Sequence, residues 1–295
     1  MTQDADARVH RYASVLSIAG SDSIGGAGIQ ADIKTCTALG VYAMTAVTAV
    51  TAQNTIGVRT YQAAGAEMVR AQLDAVFDDV IPDAVKIGML PDAATVRAVA
   101  DILSTRYDGG FIVLDPVAVA TSGDRLSDDT ATAEMTRRLL PIATIVTPNI
   151  PEAEILAGTK ITNVDDMRHA AQIILSRYHC HAVLVKGGHL VAEYATQHTA
   201  TTSDILWIAG DSEPHILSGQ VIETSNTHGT GCTLSSAIAS MLALGYPLHD
   251  AVARAKSWLT DALVAGAEYR FGHGHGPINH LHNIKPNKNS DESNH

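Results

Sequence analysis

The sequence predicts an α/β protein in which helices cover both faces of a mainly parallel central sheet. Short runs rich in β-branched residues alternate along the chain with segments whose apolar residues follow helical spacing. The short runs are apolar almost throughout, which indicates strands buried on both faces, as in a parallel sheet. Hydrophobic residues make up 46% of the 295-residue chain and charged residues only 17%, so the chain can form a large buried core.

Five of these runs are predicted strands, and each ends in a polar residue or a glycine. They comprise residues 14–20, 84–88, 111–115, 143–147 and 182–186. Two later runs, 205–208 and 216–217, flank Gly210-Asp211 and predict an antiparallel hairpin. The helices between the strands are predicted from apolar residues three, four and seven apart, namely Val69-Leu73-Val76, Val96-Val99-Leu103 and Leu234-Ile238-Met241.

The charge balance and the cysteine content restrict the function classes. Lys and Arg number 20 against 31 Asp and Glu, a formal net charge of −11, which argues against a broad basic face for nucleic acid. A single electropositive site would still bind an anionic small molecule. The three cysteines do not form a disulfide framework and fit a reducing cytoplasm. Neither a signal peptide nor an apolar run of ~18 residues is present, so we expect no association with a membrane.

We expect residues 12–284 to form one domain, preceded by an N-terminal extension, 1–11, and followed by a polar tail, 285–295, that is predicted to be disordered. A segment rich in glycine and histidine, 272–276, precedes His280 and His282. A metal site is one interpretation of this segment. Because no acidic or cysteine ligand completes such a site, a glycine-rich surface loop is the favoured interpretation.

Polar residues and glycines recur at the ends of the predicted strands, where open parallel sheets bind their ligands. One such segment alone would be an ordinary turn between a strand and a helix, but several together predict a site. The segments are Gly20-Ser21-Asp22, Gly88-Met89, Asp115-Pro116-Val117, Thr147-Pro148-Asn149 and Lys186-Gly187-Gly188.

The strongest local feature is the segment 226–232, which ends in Gly229-Thr230-Gly231-Cys232 and leads directly into a predicted helix. Its glycines let the backbone approach a ligand closely, and the start of the helix presents unpaired N–H groups to an anion. The chain has no Walker-type glycine-lysine loop, and the turn after the first strand does not read G-x-G-x-x-G. An ordinary P-loop protein and a Rossmann dehydrogenase are therefore disfavoured.

Taken in order, these segments resemble the hydroxymethylpyrimidine/phosphomethylpyrimidine kinases of thiamine biosynthesis, which belong to the ribokinase superfamily. The resemblance implies a three-layer α/β/α ribokinase-like fold and a homodimer. It also implies ATP-dependent phosphorylation of 4-amino-5-hydroxymethyl-2-methylpyrimidine to its monophosphate and then to its diphosphate, with Mg²⁺ as a cofactor. The matching residues are 17–22, 25–32, 48–55, 85–90, 115–117, 147–154, 185–189 and 227–232.

The resemblance also implies roles for individual residues. Asp22 and Gln53 would hydrogen-bond the pyrimidine, and Gly20, Met89 and Val117 would line its pocket. Asp115 and Glu152 would organise Mg²⁺. The nucleotide would be bound by Lys186, Asn149, Thr227 and Gly229, and the reaction would be carried out by Lys186, Gly229, Gly231 and Cys232.

Six of these residues also have a structural interpretation. Asp22 would otherwise cap the helix predicted to start near Gly28, and Gln53 would be a surface amide. Met89 and Val117 would belong to the core. Asp115 would belong to an Asp-Pro turn, and Glu152 would be an acid favoured by the dipole of a helix N-terminus.

Cys232 stands where most ribokinase relatives have an aspartate that acts as the base. A helix N-terminus lowers the pKa of a thiol, so we expect a thiolate that accepts the hydroxymethyl proton. The alternative is a small buried residue whose backbone N–H serves the anion hole. Ile24 and Ala118 depart from the usual family pattern, in which a small residue and a methionine are common at these positions.

Two other functions compete with the pyrimidine kinase. A pyridoxal kinase of the same superfamily would also act on an aromatic hydroxymethyl heterocycle, but the residues around Gln53 and the 229–232 motif favour the pyrimidine. A catalytically weak ligand-binding regulator is disfavoured because Lys186, Asp115 and Glu152 are all present.

Overall fold

A nine-stranded sheet forms the centre of the computed structural model, which describes residues 11–117, 129–188 and 201–284. The order of the strands is β3-β2-β1-β4-β5-β6-β7-β8-β9. Their bounds are β1 (Ser14–Ser21), β2 (Tyr42–Gln53), β3 (Val58–Ala63), β4 (Ala84–Ile87), β5 (Phe111–Leu114), β6 (Ile145–Val146), β7 (Ala182–Val185), β8 (Thr201–Ile208) and β9 (His215–Gln220).

The six central strands, β2, β1, β4, β5, β6 and β7, are parallel to one another. β3 pairs antiparallel at one edge, and the predicted hairpin forms the other edge as β8 and β9. The mainly parallel sheet is thus confirmed. β6 is shorter than its predicted run, although the backbone N–H groups of Thr144 and Thr147 still donate to the carbonyls of Ile112 and Leu114 at 2.9 Å.

Helices pack on both faces of the sheet, which confirms the predicted α/β class with three layers. Side chains alternate along β1, so that Val15 faces one helical layer while Leu16 and Ile18 face the other. In the described chain the layer against Leu16 contains α2 (Ala66–Phe77), α3 (Ala93–Arg106), α4 (Asp129–Arg138), α5 (Ile150–Ala157) and α6 (Val164–Tyr178). The layer against Val15 contains α1 (Gly28–Ala38), α7 (Thr230–Ala243) and α8 (Leu248–Gly266).

The predicted apolar stripes are the faces by which the helices contact the sheet. Leu73 of α2, Val99 of α3 and Ile238 of α7 are fully buried. Burial of one such side chain contributes about 1.5–3 kcal/mol, so these stripes supply much of the driving force for packing. Within the described ranges, no helix is both long enough and apolar enough to span a bilayer.

The glycine- and histidine-rich segment packs against the start of the β2–β3 connection. The backbone N–H of His275 donates to the Thr55 carbonyl at 2.8 Å, and the Thr55 hydroxyl accepts from His273 and Gly274 at 3.2 Å. Among the residues that the structure describes, no cluster of three or more His, Cys, Asp or Glu side chains is arranged to hold a metal ion. The segment is a docked loop.

Candidate active site

A cavity of about 630 Å³ opens at the carboxyl ends of β1, β4, β5 and β7. The position agrees with the general rule for parallel sheets. Every site residue predicted from the sequence lines this cavity, namely Gly20, Asp22, Gln53, Met89, Asp115, Val117, Asn149, Glu152, Lys186, Thr227, Gly229, Gly231 and Cys232. Ala118, one of the two departures from the family pattern, lies outside the described residues.

The first turn of α7 presents backbone donors to the cavity. The first intrahelical hydrogen bond runs from the Thr233 N–H to the Gly229 carbonyl at 2.9 Å, and Thr230 donates to the Thr227 carbonyl at 3.3 Å. The N–H groups of Gly231 and Cys232 have no acceptor within the described chain. They form the donor pair that an anion needs at a helix N-terminus.

Gly229 determines where this turn lies. Its φ angle is 81°, in the left-handed region, and a Cβ at this position would collide with the carbonyl oxygen of Gly26. The loop that follows β1 and the loop that precedes α7 therefore touch through their backbones, and only glycine permits that approach.

An ion pair between Lys186 and Asp115 lies beside the first turn of α7, residues 229–232, which is named the anion-binding turn for its proposed role. Lys186 Nζ is 3.0 Å from Asp115 Oδ1, and the same oxygen accepts from Thr147 Oγ1 at 3.0 Å. A Cβ on Gly231 would lie 3.5 Å from both Lys186 Nζ and Asp115 Oδ2. Burial alone would lower the pKa of Lys186, but the carboxylates of Asp115 and Glu152 raise it, so the ammonium is charged at neutral pH.

Asn149 and Glu152 form a capping box at the start of α5. The Asn149 side chain accepts from the Glu152 N–H at 2.9 Å, and Glu152 Oε2 accepts from the Asn149 N–H at 2.8 Å. The structural interpretation of Glu152, as an acid at a helix N-terminus, therefore applies here. The Glu152 carboxylate also lines the cavity and helps to raise the pKa of Lys186. A structural role at the helix start and a role in the site are therefore compatible.

The donor set suits Mg²⁺ that arrives with a nucleotide. Mg²⁺ takes one or two carboxylates and completes its shell with water and phosphate oxygens. Asp115 Oδ2 accepts only a long hydrogen bond, 3.4 Å from Ser235 Oγ, within the described chain, whereas Oδ1 is taken by Thr147 and Lys186. Asp115 thus retains one oxygen for an ion, and Glu152 lines the same cavity.

Asp22 organises the loop between β1 and α1. Its Oδ2 accepts from the N–H groups of Gly26 at 2.9 Å and Ala27 at 2.8 Å, and Oδ1 accepts from Ile24 at 3.1 Å. His228 Nε2 lies 2.9 Å from Oδ2. Burial tends to raise the pKa of Asp22, but the hydrogen bonds from His228 and the loop amides lower it overall. These N–H groups all precede Gly28, the first residue of α1, so Asp22 holds the loop and does not provide the cap of the first helical turn that the structural interpretation expects.

The residues assigned to the pyrimidine lie at the ends of β1, β2 and β4. Met89 is buried, and Gly20 permits its approach because a Cβ there would lie 2.9 Å from the Met89 sulfur. The Gln53 side-chain oxygen accepts from Thr51 Oγ1 at 3.2 Å. No protein acceptor within the described chain takes the Gln53 amide nitrogen, which leaves a donor for a heterocycle. Val117 packs against the buried pair Ala49 and Met89.

The expectation of a lowered thiol pKa at Cys232 is wrong for this structure. Burial, together with the carboxylates of Asp32 and Asp115, raises the pKa to about 11 against the opposing effects of Lys86 and the Gly28 N–H. Cys232 is accordingly a neutral thiol at pH 7 in this structure.

Sequence reasoning missed three features of the cavity region. Val221, Ile222, Leu259 and Leu263 line an apolar part of the cavity. His228 holds Asp22. Lys86 forms a fully buried ion pair with Asp32. A signal existed for the third, because a lysine in the middle of an apolar strand needs a buried partner.

A mostly parallel sheet between two helical layers, with the unpaired N–H groups of a helix start beside a lysine–carboxylate pair, is the architecture of a kinase of the ribokinase-like class. Residues 22–279 match the family model described as phosphomethylpyrimidine kinase, and the chain belongs to that family.

Known relatives agree with this assignment. The chain is 49% identical over 271 residues to the hydroxymethylpyrimidine/phosphomethylpyrimidine kinase of Rhizobium meliloti (strain 1021), a match that covers 92% of this chain and 97% of the relative. The crystal structure of phosphomethylpyrimidine kinase from Clostridium difficile 630 shares 41% identity, with a TM-score of 0.72 and coverage of 84% and 98%. The pyridoxal kinase of Staphylococcus aureus in complex with ADP shares 30% identity, with a TM-score of 0.82 and coverage of 94% and 96%.

Proposed function

We propose that this protein is the ATP-dependent kinase that phosphorylates 4-amino-5-hydroxymethyl-2-methylpyrimidine on its hydroxymethyl oxygen and then phosphorylates the resulting monophosphate. The observation that carries the proposal is the position of Lys186 and Asp115 against Gly231, at the free N–H groups of α7. The same cavity contains Gln53 and Met89, which suit an aromatic heterocycle. The names of the relatives support the same activity.

The nucleotide would lie between the apolar part of the cavity and the first turn of α7. Val221, Ile222, Leu259 and Leu263 suit the flat base, and a structural neighbour was crystallised with ADP. The terminal phosphate would accept hydrogen bonds from the Gly231 and Cys232 N–H groups, with Lys186 neutralising its charge. Asn149, Thr227 and Gly229 also line the cavity and would contact the phosphates.

Mg²⁺ would be held by Asp115 Oδ2 and Glu152, directly or through water, together with phosphate oxygens. When bound, the ion would neutralise charge on the phosphoryl group during its transfer. Hydrogen bonds from Thr147 and Lys186 to Asp115 Oδ1 orient the carboxylate, so that Oδ2 is available to the ion.

The pyrimidine would contact Gln53, Met89 and Val117, with Gly20 at the cavity wall. A pyrimidine edge offers ring-nitrogen acceptors and an amino donor, so the Gln53 amide suits it. We propose that Asp22 acts on the pyrimidine mainly through the loop that it holds, because three backbone N–H groups and His228 already occupy its oxygens.

Cys232 would contribute its backbone N–H in both phosphorylation steps. Its thiol is the proposed acceptor of the hydroxymethyl proton in the first step only, because the phosphate that attacks in the second step is already anionic. A thiol with a pKa of about 11 is ionised in about one molecule in ten thousand at pH 7, so this contribution should grow as the pH rises.

Pyridoxal kinase activity is the second candidate, because the pyridoxal kinase structure superposes with the higher of the two TM-scores, 0.82 against 0.72. ADP release should be measured with the pyrimidine, with pyridoxal and with no acceptor. The proposal predicts turnover with the pyrimidine and its monophosphate well above both other reactions. Turnover that is highest with pyridoxal would support the second candidate, and turnover with none of the acceptors would contradict both.

The family resemblance also supports a homodimer and a cytoplasmic location. Light scattering coupled to size-exclusion chromatography should give twice the mass of one chain, whereas the mass of one chain would contradict the dimer.

A further inference from the structure

A second lysine–carboxylate pair lies beneath the anion-binding turn, away from the cavity. Lys86 Nζ is 2.9 Å from both carboxylate oxygens of Asp32, and both side chains have no exposed surface. Lys86 lies on β4 between Val85 and Ile87, which face the α2–α6 layer. Its side chain therefore points to the opposite layer, toward α1 and α7.

Two serines complete the coordination of the Asp32 carboxylate. Ser17 Oγ of β1 donates to Oδ2 at 2.5 Å, and Ser236 Oγ of α7 donates to Oδ1 at 2.6 Å. Asp32 itself lies on α1, so one carboxylate connects α1, β1, β4 and α7. Ser236 is one helical turn after Cys232, which makes it the anchor of the first turn of α7.

The buried Lys86 ammonium also interacts electrostatically with residues that line the cavity. Lys86 interacts electrostatically with Cys232 and Asp115, in addition to Asp32. Gly88 leaves the space that the ammonium occupies, because a Cβ there would lie 2.9 Å from Lys86 Nζ. The next residue, Met89, lines the cavity.

Stability alone does not explain this arrangement. Apolar residues of similar volume in place of a buried ion pair are often as stable or more stable, so a buried pair needs another reason to be present. Here the pair is hydrogen-bonded to the helix whose first N–H groups would receive the phosphate. We propose that Asp32, Lys86 and Ser236 form a positioning unit that holds the anion-binding turn in the geometry required for phosphoryl transfer; the inference rests on the proposed kinase function.

A matched pair of serine variants tests the unit. Ser236→Ala removes only the link between α7 and Asp32. Ser240→Ala is its control, because Ser240 is equally buried, lies one turn further along α7 and hydrogen-bonds Cys36 and the Ser236 carbonyl instead of Asp32. We expect Ser236→Ala to lower kcat about five- to tenfold in both steps, with KM for ATP changed less than twofold. Equal kcat values for the two variants would overturn the proposal.

An apolar replacement separates positioning from stability. The triple variant Ser17→Ala, Asp32→Leu, Lys86→Met removes the charges and roughly keeps the volume, while the Ser236 hydroxyl can turn to the Cys232 carbonyl. The proposal predicts a cooperative unfolding transition close to that of the wild type, with kcat lowered tenfold or more. A folded triple variant with wild-type kcat would overturn it. If the triple variant does not fold, the serine comparison decides.

The design distinguishes this inference from the proposed function. Turnover by the wild type and Ser240→Ala reports whether the protein is the pyrimidine kinase. The difference between Ser236→Ala and Ser240→Ala reports whether the buried unit positions the helix. If the wild type and Ser240→Ala do not turn over the pyrimidine, the proposed function is contradicted. If they do, but Ser236→Ala has the same kcat as Ser240→Ala, only the positioning unit is contradicted.

Discussion

Lys86–Asp32 and Lys186–Asp115 have the same chemistry and nearly the same length, 2.9 and 3.0 Å, yet their surroundings differ. The first pair is closed, because both side chains are fully buried and Ser17 and Ser236 occupy the carboxylate. The second pair is open, because the Lys186 side chain is 15% exposed and lines the cavity. The difference teaches that a closed ion pair, whose hydrogen-bonding groups are all taken within the protein, holds structural elements together. An open pair keeps donors and acceptors available for a ligand.

Removing one charge of the closed pair should have the largest effect on stability. Lys86→Met leaves the Asp32 carboxylate buried without its cation, which typically costs about 3–5 kcal/mol. Urea unfolding should show this loss. Lys160→Met is a suitable control because Lys160 pairs with Glu154 at the surface with an 85% exposed side chain, so its loss should be at most about 1 kcal/mol. Similar losses of unfolding free energy for the two variants would contradict the claim that the closed pair contributes more to stability than an exposed pair.

Removing the lysine of the open pair should affect catalysis more than stability. Lys186→Met is expected to lower kcat about 10²–10³-fold, the typical cost of one group that stabilises charge in the transition state. The affinity for the pyrimidine, measured by calorimetry without nucleotide, should change little. A collapse of pyrimidine affinity with unaltered use of ATP would contradict the assignment of Lys186 to the phosphates.

Cys232 interacts electrostatically with members of both pairs, so its variant tests how the two pairs share the chemistry. Cys232→Ala keeps the backbone N–H and should slow the first phosphorylation about 10²-fold, and the second much less. The first step of the wild type should accelerate as pH rises from 7 toward the thiol pKa of about 11, and the variant should lose that dependence. Unchanged rates in both steps, with the pH profile of the wild type retained, would leave only the backbone role, because the variant keeps that N–H group.

Asp22 offers a third kind of buried carboxylate, held by backbone amides and His228 instead of a lysine. Because its folded pKa is lowered, its stabilising contribution is complete above the unfolded value of 3.8 and is lost as pH falls through the folded pKa. Asp22→Asn should therefore destabilise the protein by about 1–2 kcal/mol at pH 7 and by less near pH 3. A destabilisation that does not vary with pH would contradict this interpretation.

Periodicity and local motifs predict most of the fold. The apolar runs predicted β1, β4, β5 and β7 because a strand buried on both faces has few other possible compositions. β3 was not predicted, since four of its six residues are exposed and it lies at the edge of the sheet. An exposed edge strand has no residue pattern that predicts it as clearly as the apolar run predicts a buried strand.

The site was predictable where its residues follow strands and unpredictable where it depends on pairing across the fold. Asp115 directly follows β5 and Lys186 directly follows β7, so the topology of a parallel sheet brings them together. Asp32 and Ser236 are separated by 204 positions in the chain, and no local motif connects them. The pKa of Cys232 was wrongly expected because the helix N-terminus is visible in the sequence, whereas the burial of the thiol and the nearby carboxylates of Asp32 and Asp115 are not.

A crystal structure with a non-hydrolysable ATP analogue, Mg²⁺ and the pyrimidine would test the proposed site most directly. The terminal phosphate should lie within hydrogen-bond distance, about 3 Å, of the Gly231 and Cys232 nitrogens and of Lys186 Nζ, with Lys86 still bound to Asp32 and contacting no ligand. A terminal phosphate placed away from the first turn of α7, or bound by Lys86, would contradict the division of roles between the two lysines.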